Sequence, residues 1–145
     1  VAKRRSALRK KAFLDSSVLF TAVNSLSGGS AKLFTLKNLQ LTTSPLVLTE
    51  VERNVRQKLE NYHLKRFFLL VSKLKITDQR PDLKLTKQAT RIIIKKDAAI
   101  LAEAKKSKAN FLLTLDKKHF LTLTARAFAK PQKILTPKMF FEEFF

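Results

Sequence analysis

Short apolar runs alternate along this chain with longer stretches in which apolar residues recur every three to four positions. Lys11 to Leu14 predicts a buried strand running straight into a helix, where Ser16-Ser17 offer capping hydroxyls and Val18, Leu19, Ala22, Val23 and Leu26 form an apolar face. Ser27-Gly28-Gly29-Ser30 is the clearest break and holds both glycines of the chain. A short helix is expected over 31–38, with Leu33, Phe34 and Leu36 inward, and Leu39 to Thr43 alternates as a second strand. Ser44-Pro45 reads as N-cap and first helical residue of a helix reaching about Tyr62, striped by Val47, Val51, Val55 and Leu59. His63 then falls at a helix end. A further helix is expected over 64–74, a short strand over 75–77 and a loop at Pro81. Over residues 83–96 periodicity does not decide, since Ile92-Ile93-Ile94 fits a strand or a buried helix end. The remainder reads as a helix from Asp97, a strand from Phe111, a helical patch to Ala129, a strand over 133–135 and a last helix from Pro137. Such alternation predicts an α/β, three-layer fold, a mostly parallel sheet of four to five short strands flanked by helices.

That architecture gives the acidic residues a meaning. Asp15 ends the first strand, Asp116 ends the run Phe111 to Leu115, and Asp97 opens a helix. In a parallel α/β sheet the C-terminal strand ends and the N-terminal ends of crossover helices share one edge. Asp15, Asp97 and Asp116 are therefore expected to meet there. Glu50, beside Val47 and Val51, borders the core and adds a fourth carboxylate. Each also has a plain structural reading: Asp15 as an Asx turn or N-cap, Asp97 as an N-cap, Asp116 as a turn residue, Glu50 as a solvated helix face paired with Arg53 or Asn54. Glu103 points roughly 120° away from Asp97 around its helix, so it is set aside. Two carboxylates about 5 Å apart repel by roughly 3 kcal/mol at an effective dielectric of about 20. A hard divalent cation removes that cost, and oxygen-only ligands favour Mg²⁺ or Mn²⁺ over zinc.

Composition narrows the partners. The 145 residues fit one domain, read as a basic arm over 1–10 and a single domain over 11–145. Thirty Lys and Arg stand against eleven Asp and Glu, a net charge of +19, which points to nucleic acid first and an anionic membrane surface second, the plain alternative being a lysine-rich surface that keeps the protein soluble. Lys3, Arg4, Arg5, Lys117, Lys118 and His119 are the candidate nucleic-acid contacts, and His119, three residues after Asp116, is read as packing or touching phosphate rather than as catalytic. The absence of cysteine excludes disulfides, thiolate zinc sites and thiol nucleophiles. No Ser-His-Asp spacing or Gly-rich phosphate loop supports acyl transfer or nucleotide hydrolysis. The basic N-terminus superficially resembles a secretory signal, but Asp15 interrupts its apolar region, and no run is long enough to span a membrane. The expectation is a soluble cytoplasmic protein. Phe140, Phe141, Phe144 and Phe145 crowd one side of the last helix; at least two are expected in the core, the rest covered by a second copy or a protein partner.

Four segments together resemble the PIN-domain nucleases over nearly the whole chain from Lys11. They are Phe13-Leu14-Asp15-Ser16-Ser17-Val18-Leu19, Ser44-Pro45-Leu46-Val47-Leu48-Thr49-Glu50-Val51, Lys96-Asp97-Ala98-Ala99-Ile100-Leu101-Ala102-Glu103-Ala104, and Phe111-Leu112-Leu113-Thr114-Leu115-Asp116-Lys117-Lys118-His119-Phe120. The resemblance implies a Mg²⁺- or Mn²⁺-dependent endoribonuclease with Asp15, Glu50, Asp97 and Asp116 as catalytic and metal-binding cluster, and Ser17 and Thr114 as supporting polar groups. It also implies RNA as substrate, a homodimer, and a place among the VapC-type toxins that pair with an antitoxin. Lys118 stands where many members carry another acid, and the basic arm is longer than usual. The competing readings are a PIN-like module that holds RNA without cutting it, which the intact acid set disfavours, and a basic DNA-binding scaffold, which lacks a recognition-helix motif.

Overall fold

Among the described residues five strands, each too short to bury much alone, are all parallel and lie in the order β3-β2-β1-β4-β5. The computed structural model describes residues 10–78 and 80–145. Its strands are β1 (Lys10–Leu14), β2 (Leu39–Thr43), β3 (Lys75–Ile76), β4 (Phe111–Leu113) and β5 (Lys133–Leu135). Phe13 pairs with Thr42 on one side and Leu112 on the other, and Leu113 pairs with Leu135. Lys10 already belongs to the sheet, while Lys3, Arg4 and Arg5 lie outside the described residues.

Period-two alternation divides the core into two layers. Phe13, Leu112 and Ile134 face one layer, packed with Leu19, Val23, Val47, Val51, Val55, Phe67 and Leu101. Ala12, Leu14, Leu41, Phe111, Leu113 and Leu135 face the other, packed with Leu33 and Phe140. The helices are α1 (Ser16–Asn24), α2 (Gly29–Lys32) followed by a 3-10 turn (Leu33–Thr35), α3 (Pro45–Lys58), α4 (Asn61–Val71), α5 (Leu83–Ala89), α6 (Lys95–Ser107), α7 (Lys117–Phe120), α8 (Leu123–Ala129) and α9 (Pro137–Phe144). The three-layer α/β arrangement expected from the pattern is the one observed.

Several boundaries differ for local reasons. The helix starting at Pro45 stops at Lys58, and a new one starts at Asn61, because the Glu60 N–H donates to His63 Nδ1 at 3.2 Å. His63 therefore lies at a helix end, in the first turn, where its side chain satisfies one orphan donor. Ile92-Ile93-Ile94 is neither strand nor helix: Ile92 and Ile93 donate back to the Ala89 carbonyl in a turn that buries Ile93. The patch before Ala129 is two helices, because Asp116 caps α7 and Thr122 caps α8 through the Ala125 N–H. Finally, α6 starts at Lys95 with Ile94 as its N-cap, which places Asp97 inside the first turn and removes its N-cap reading.

Candidate active site

After β1 the chain builds outward to β2 and β3, then crosses back to build β4 and β5 on the opposite side. The C-terminal ends of β1 and β4 thus flank a topological switch point, where the connecting segments diverge and leave a crevice. Asp15 follows β1 and Asp116 lies three residues beyond β4. A cleft of about 210 Å³ opens there, lined by Asp15, Ser16, Ser17, Glu50, Asn54, Lys96, Asp97 and Asp116. All four sequence-predicted carboxylates meet in it.

Asp15 is the anchor. It is 4 % exposed, and its N–H donates to the Leu113 carbonyl, continuing the β1–β4 ladder. Oδ1 accepts from the Ser17 hydroxyl at 2.6 Å and from the Val18 N–H at 3.1 Å, and Oδ2 accepts from the Thr114 hydroxyl. The helix-cap reading is correct and does not compete with convergence, because capping α1 is what aims the carboxylate. Burial pushes its pKa up to about 6 against the pull of the Ser17, Thr114 and Val18 hydrogen bonds. The supporting hydroxyls also stitch the β4 end: Ser17 Oγ accepts from the Leu115 N–H at 2.9 Å, and Thr114 Oγ1 from the Asp116 N–H at 3.0 Å.

The remaining acids arrive on separate elements. Glu50 is turned into the cleft by the Ser16 hydroxyl, which donates to Oε2 at 2.8 Å. On the surface side of the same helix, Glu52 pairs with Arg56 at 3.0 Å. Asp97 stands half-buried in the first turn of α6, and its Oδ2 is buried with no hydrogen-bond partner among the described residues. Burial raises its pKa, Lys96 and His119 lower it, and Asp116 and Glu50 raise it further. Asp116 caps α7 through the His119 N–H at 3.1 Å, and its Oδ2 meets His119 Nδ1 at 2.8 Å.

Among the described residues, Asp97, Asp116 and His119 each offer a ligand-capable atom within 4.8 Å of the other two. Asp15 and Glu50 line the same cleft outside that tight group. A buried oxygen without a partner, among several like charges, fits a divalent cation. His119 reaches the acids' edge, as its spacing of three from Asp116 allowed, and meets the Asp116 carboxylate there. Ser16 was read only as a cap. Glu103, set aside by its angle from Asp97, accepts from the Ser44 hydroxyl at 2.7 Å, a link between residues 59 positions apart that no local pattern shows. Lys117 and Lys118 are exposed beside the cleft on α7.

The PIN-domain family model matches residues 12–125. The chain belongs to the PIN-domain nuclease family. None of the curated proteins matches it. Among solved structures, VapBC2 from Rickettsia felis, bound to a DNA fragment from its promoter, is similar at 20 % identity and a TM-score of 0.66, over 86 % of this chain and 96 % of that one. VapBC-1 from nontypeable Haemophilus influenzae is similar at 15 % identity and a TM-score of 0.62, over 88 % and 98 %. The Mycobacterium tuberculosis VapC20, a sarcin–ricin loop cleaving toxin, is similar at 16 % identity and 0.54, over 74 % and 91 %. At these identities the likeness is one of fold: this PIN domain shares its fold with those proteins. No helix among its described residues is long and apolar enough to cross a membrane.

Proposed function

We propose that this PIN domain is a Mg²⁺- or Mn²⁺-dependent endoribonuclease, the toxin of a toxin–antitoxin pair, acting through Asp15, Glu50, Asp97 and Asp116. The observation that carries the reading is the unpartnered, buried Oδ2 of Asp97 in a cleft shared with three other carboxylates. When bound, a divalent ion at such a site acidifies water and neutralises charge building on a phosphate. Asp15, Glu50, Asp97 and Asp116, which line the one cleft, are the residues that would hold it. The chain's own groups prepare the rest. Ser17 and Thr114 fix the rotamer of Asp15, and Ser16 fixes that of Glu50, so the carboxylates need no reorganisation when the cation and phosphate arrive. Lys96 is the cation lining the cleft, and with Lys117 and Lys118 it offsets the acids enough for a polyanion to approach.

The toxin role and an antitoxin partner are supported by the likeness to VapBC proteins; the homodimer belongs to the proposal through the family resemblance alone. The net charge of +19 supports RNA as the partner that the cleft acts on. The non-cleaving alternative is disfavoured by the intact acid set, all four carboxylates of which line one cleft. The test is cleavage of a defined RNA pool with Mn²⁺, with EDTA, and with Asp15→Asn and Asp116→Asn. Cleavage lost in EDTA and in each variant, with the fold retained by circular dichroism, supports the proposal. Undiminished cleavage in EDTA or in both variants overturns it.

A further inference from the structure

Asp116 is gripped twice by one residue. Its Oδ1 accepts the His119 backbone N–H at 3.1 Å, and its Oδ2 lies 2.8 Å from His119 Nδ1. The first bond is an ordinary helix cap. The second is not needed for capping, and it takes the carboxylate oxygen that would otherwise be free to swing. Both side chains are about 29 % exposed, and Asp116 lines the cleft. The helix holding this grip is only one turn long (Lys117–Phe120), and Phe120, buried, pins it to the core behind the site.

We propose that His119 is a positioning residue of the metal centre: its imidazole holds Asp116 so that the carboxylate faces Asp97 across the cleft. The inference rests on the metal-dependent reading above. In this arrangement the ring carries a proton on Nδ1 and donates it to the Asp116 carboxylate oxygen. The bond then constrains the Asp116 rotamer that the cap alone leaves rotatable about its Oδ1 contact. Removing such an outer partner from a metal-binding group typically lowers metal affinity by roughly 10- to 100-fold. An Asp97 carboxylate oxygen belongs to the same 4.8 Å group, so a displaced Asp116 leaves Asp97 facing a half-built site.

The experiment uses the two amides that imitate one ring nitrogen each. In His119→Asn the side-chain nitrogen overlays Nδ1 and keeps the donor to Asp116; in His119→Gln it overlays Nε2 and does not. Mn²⁺ affinity of the full-length protein is read directly, by electron paramagnetic resonance of free Mn²⁺, without RNA. His119→Gln and His119→Ala are expected to bind Mn²⁺ at least about tenfold more weakly, and His119→Asn within about threefold of wild type. In an Asp116→Asn background the further effect of His119→Ala should vanish. Rescue by Gln and not by Asn overturns the proposal in favour of an Nε2 role, and equal affinity in all three variants reduces His119 to a cap. Because Mn²⁺ binding is measured apart from cleavage, a wild type that binds Mn²⁺ and cuts no RNA sinks the nuclease reading while leaving this one standing.

Discussion

Ser44 donates its hydroxyl to Glu103 Oε1 at 2.7 Å, so the residue that caps the helix carrying Glu50 is held by the helix carrying Asp97. Ser44 is wholly buried, and the same oxygen accepts the Val47 N–H at 3.3 Å. Burial raises the pKa of Glu103 while the Ser44 hydrogen bond lowers it.

This tie between α3 and α6 should be measurable. Ser44→Ala removes both a helix cap and a buried hydrogen bond, and is expected to cost about 1–3 kcal/mol of stability. Glu103→Gln keeps an acceptor for Ser44 and should cost less than Glu103→Ala. Urea unfolding of the two alanine variants and their double mutant should show a coupling of about 1 kcal/mol. Strict additivity would mean the contact contributes nothing to holding the helices together.

Asp15 makes metal-free stability depend on pH. Its folded pKa of about 6 lies above the ordinary value of 3.8, so between these limits the folded state holds more proton than the unfolded one. Stability conferred by the protonated form is full below pH 3.8 and is lost as pH rises through 6. The cost at neutral pH is on the order of 3 kcal/mol. Asp15→Asn, with an oxygen still available to the Val18 N–H, should therefore be more stable than wild type at pH 7 in EDTA. The advantage should shrink toward pH 4, as followed by denaturant titration at several pH values. A variant less stable than wild type across the whole range would contradict this.

Mn²⁺ should raise the melting temperature of the wild type, since only the folded chain gathers these carboxylates. At a hundredfold excess over the dissociation constant the gain is about 2.7 kcal/mol. The Asp15→Asn/Asp97→Asn double mutant should lose the response in differential scanning calorimetry. An equal shift in both proteins would place the ion elsewhere.

Of the four C-terminal phenylalanines, at least two of which are expected in the core, only Phe140 is fully buried. Phe140 is core at 4 % exposure, while Phe141 is half-buried and lies under Lys32 Nζ at 5.0 Å from its ring centre. Phe144 leans edge-on against Phe111 with ring centres 5.1 Å apart yet stays 43 % exposed, and Phe145 is 77 % exposed. If a second copy covers this face, Phe144→Ser/Phe145→Ser should weaken self-association in sedimentation more than it lowers the melting temperature. An unchanged oligomeric state would leave the rings as exposed packing.

Much of this site was legible because its parts are local. A carboxylate directly after an apolar run, followed by hydroxyl residues and a helical stripe, places Asp15 at a strand end and a helix start whatever surrounds it. The same holds for Ser44-Pro45, for Asp116 after β4, and for the five strands, since period-two and three-to-four spacings follow from backbone geometry alone. The register of α6 was not legible: Ile94 lacks a capping side chain, so nothing local marks Lys95 as the first helical residue in place of Asp97. The Ile92-Ile93-Ile94 run was undecidable for the same reason, because its turn is held by the end of α5 and by burial of Ile93.

Tertiary structure decided what those parts do together. Only the strand order sets β4 beside β1 and so brings Asp116 to Asp15, and only the packing of α3 against α1 lets Ser16 reach Glu50 across 34 positions. The Ser44–Glu103 tie and the partnerless oxygen of Asp97 arise in the same way. Caps and periodicity come from contacts within a turn or two of one residue, where neighbours in sequence are neighbours in space. Convergence of carboxylates, burial and the pKa it moves depend on which segments the folded sheet sets side by side, and that is a property of the whole chain.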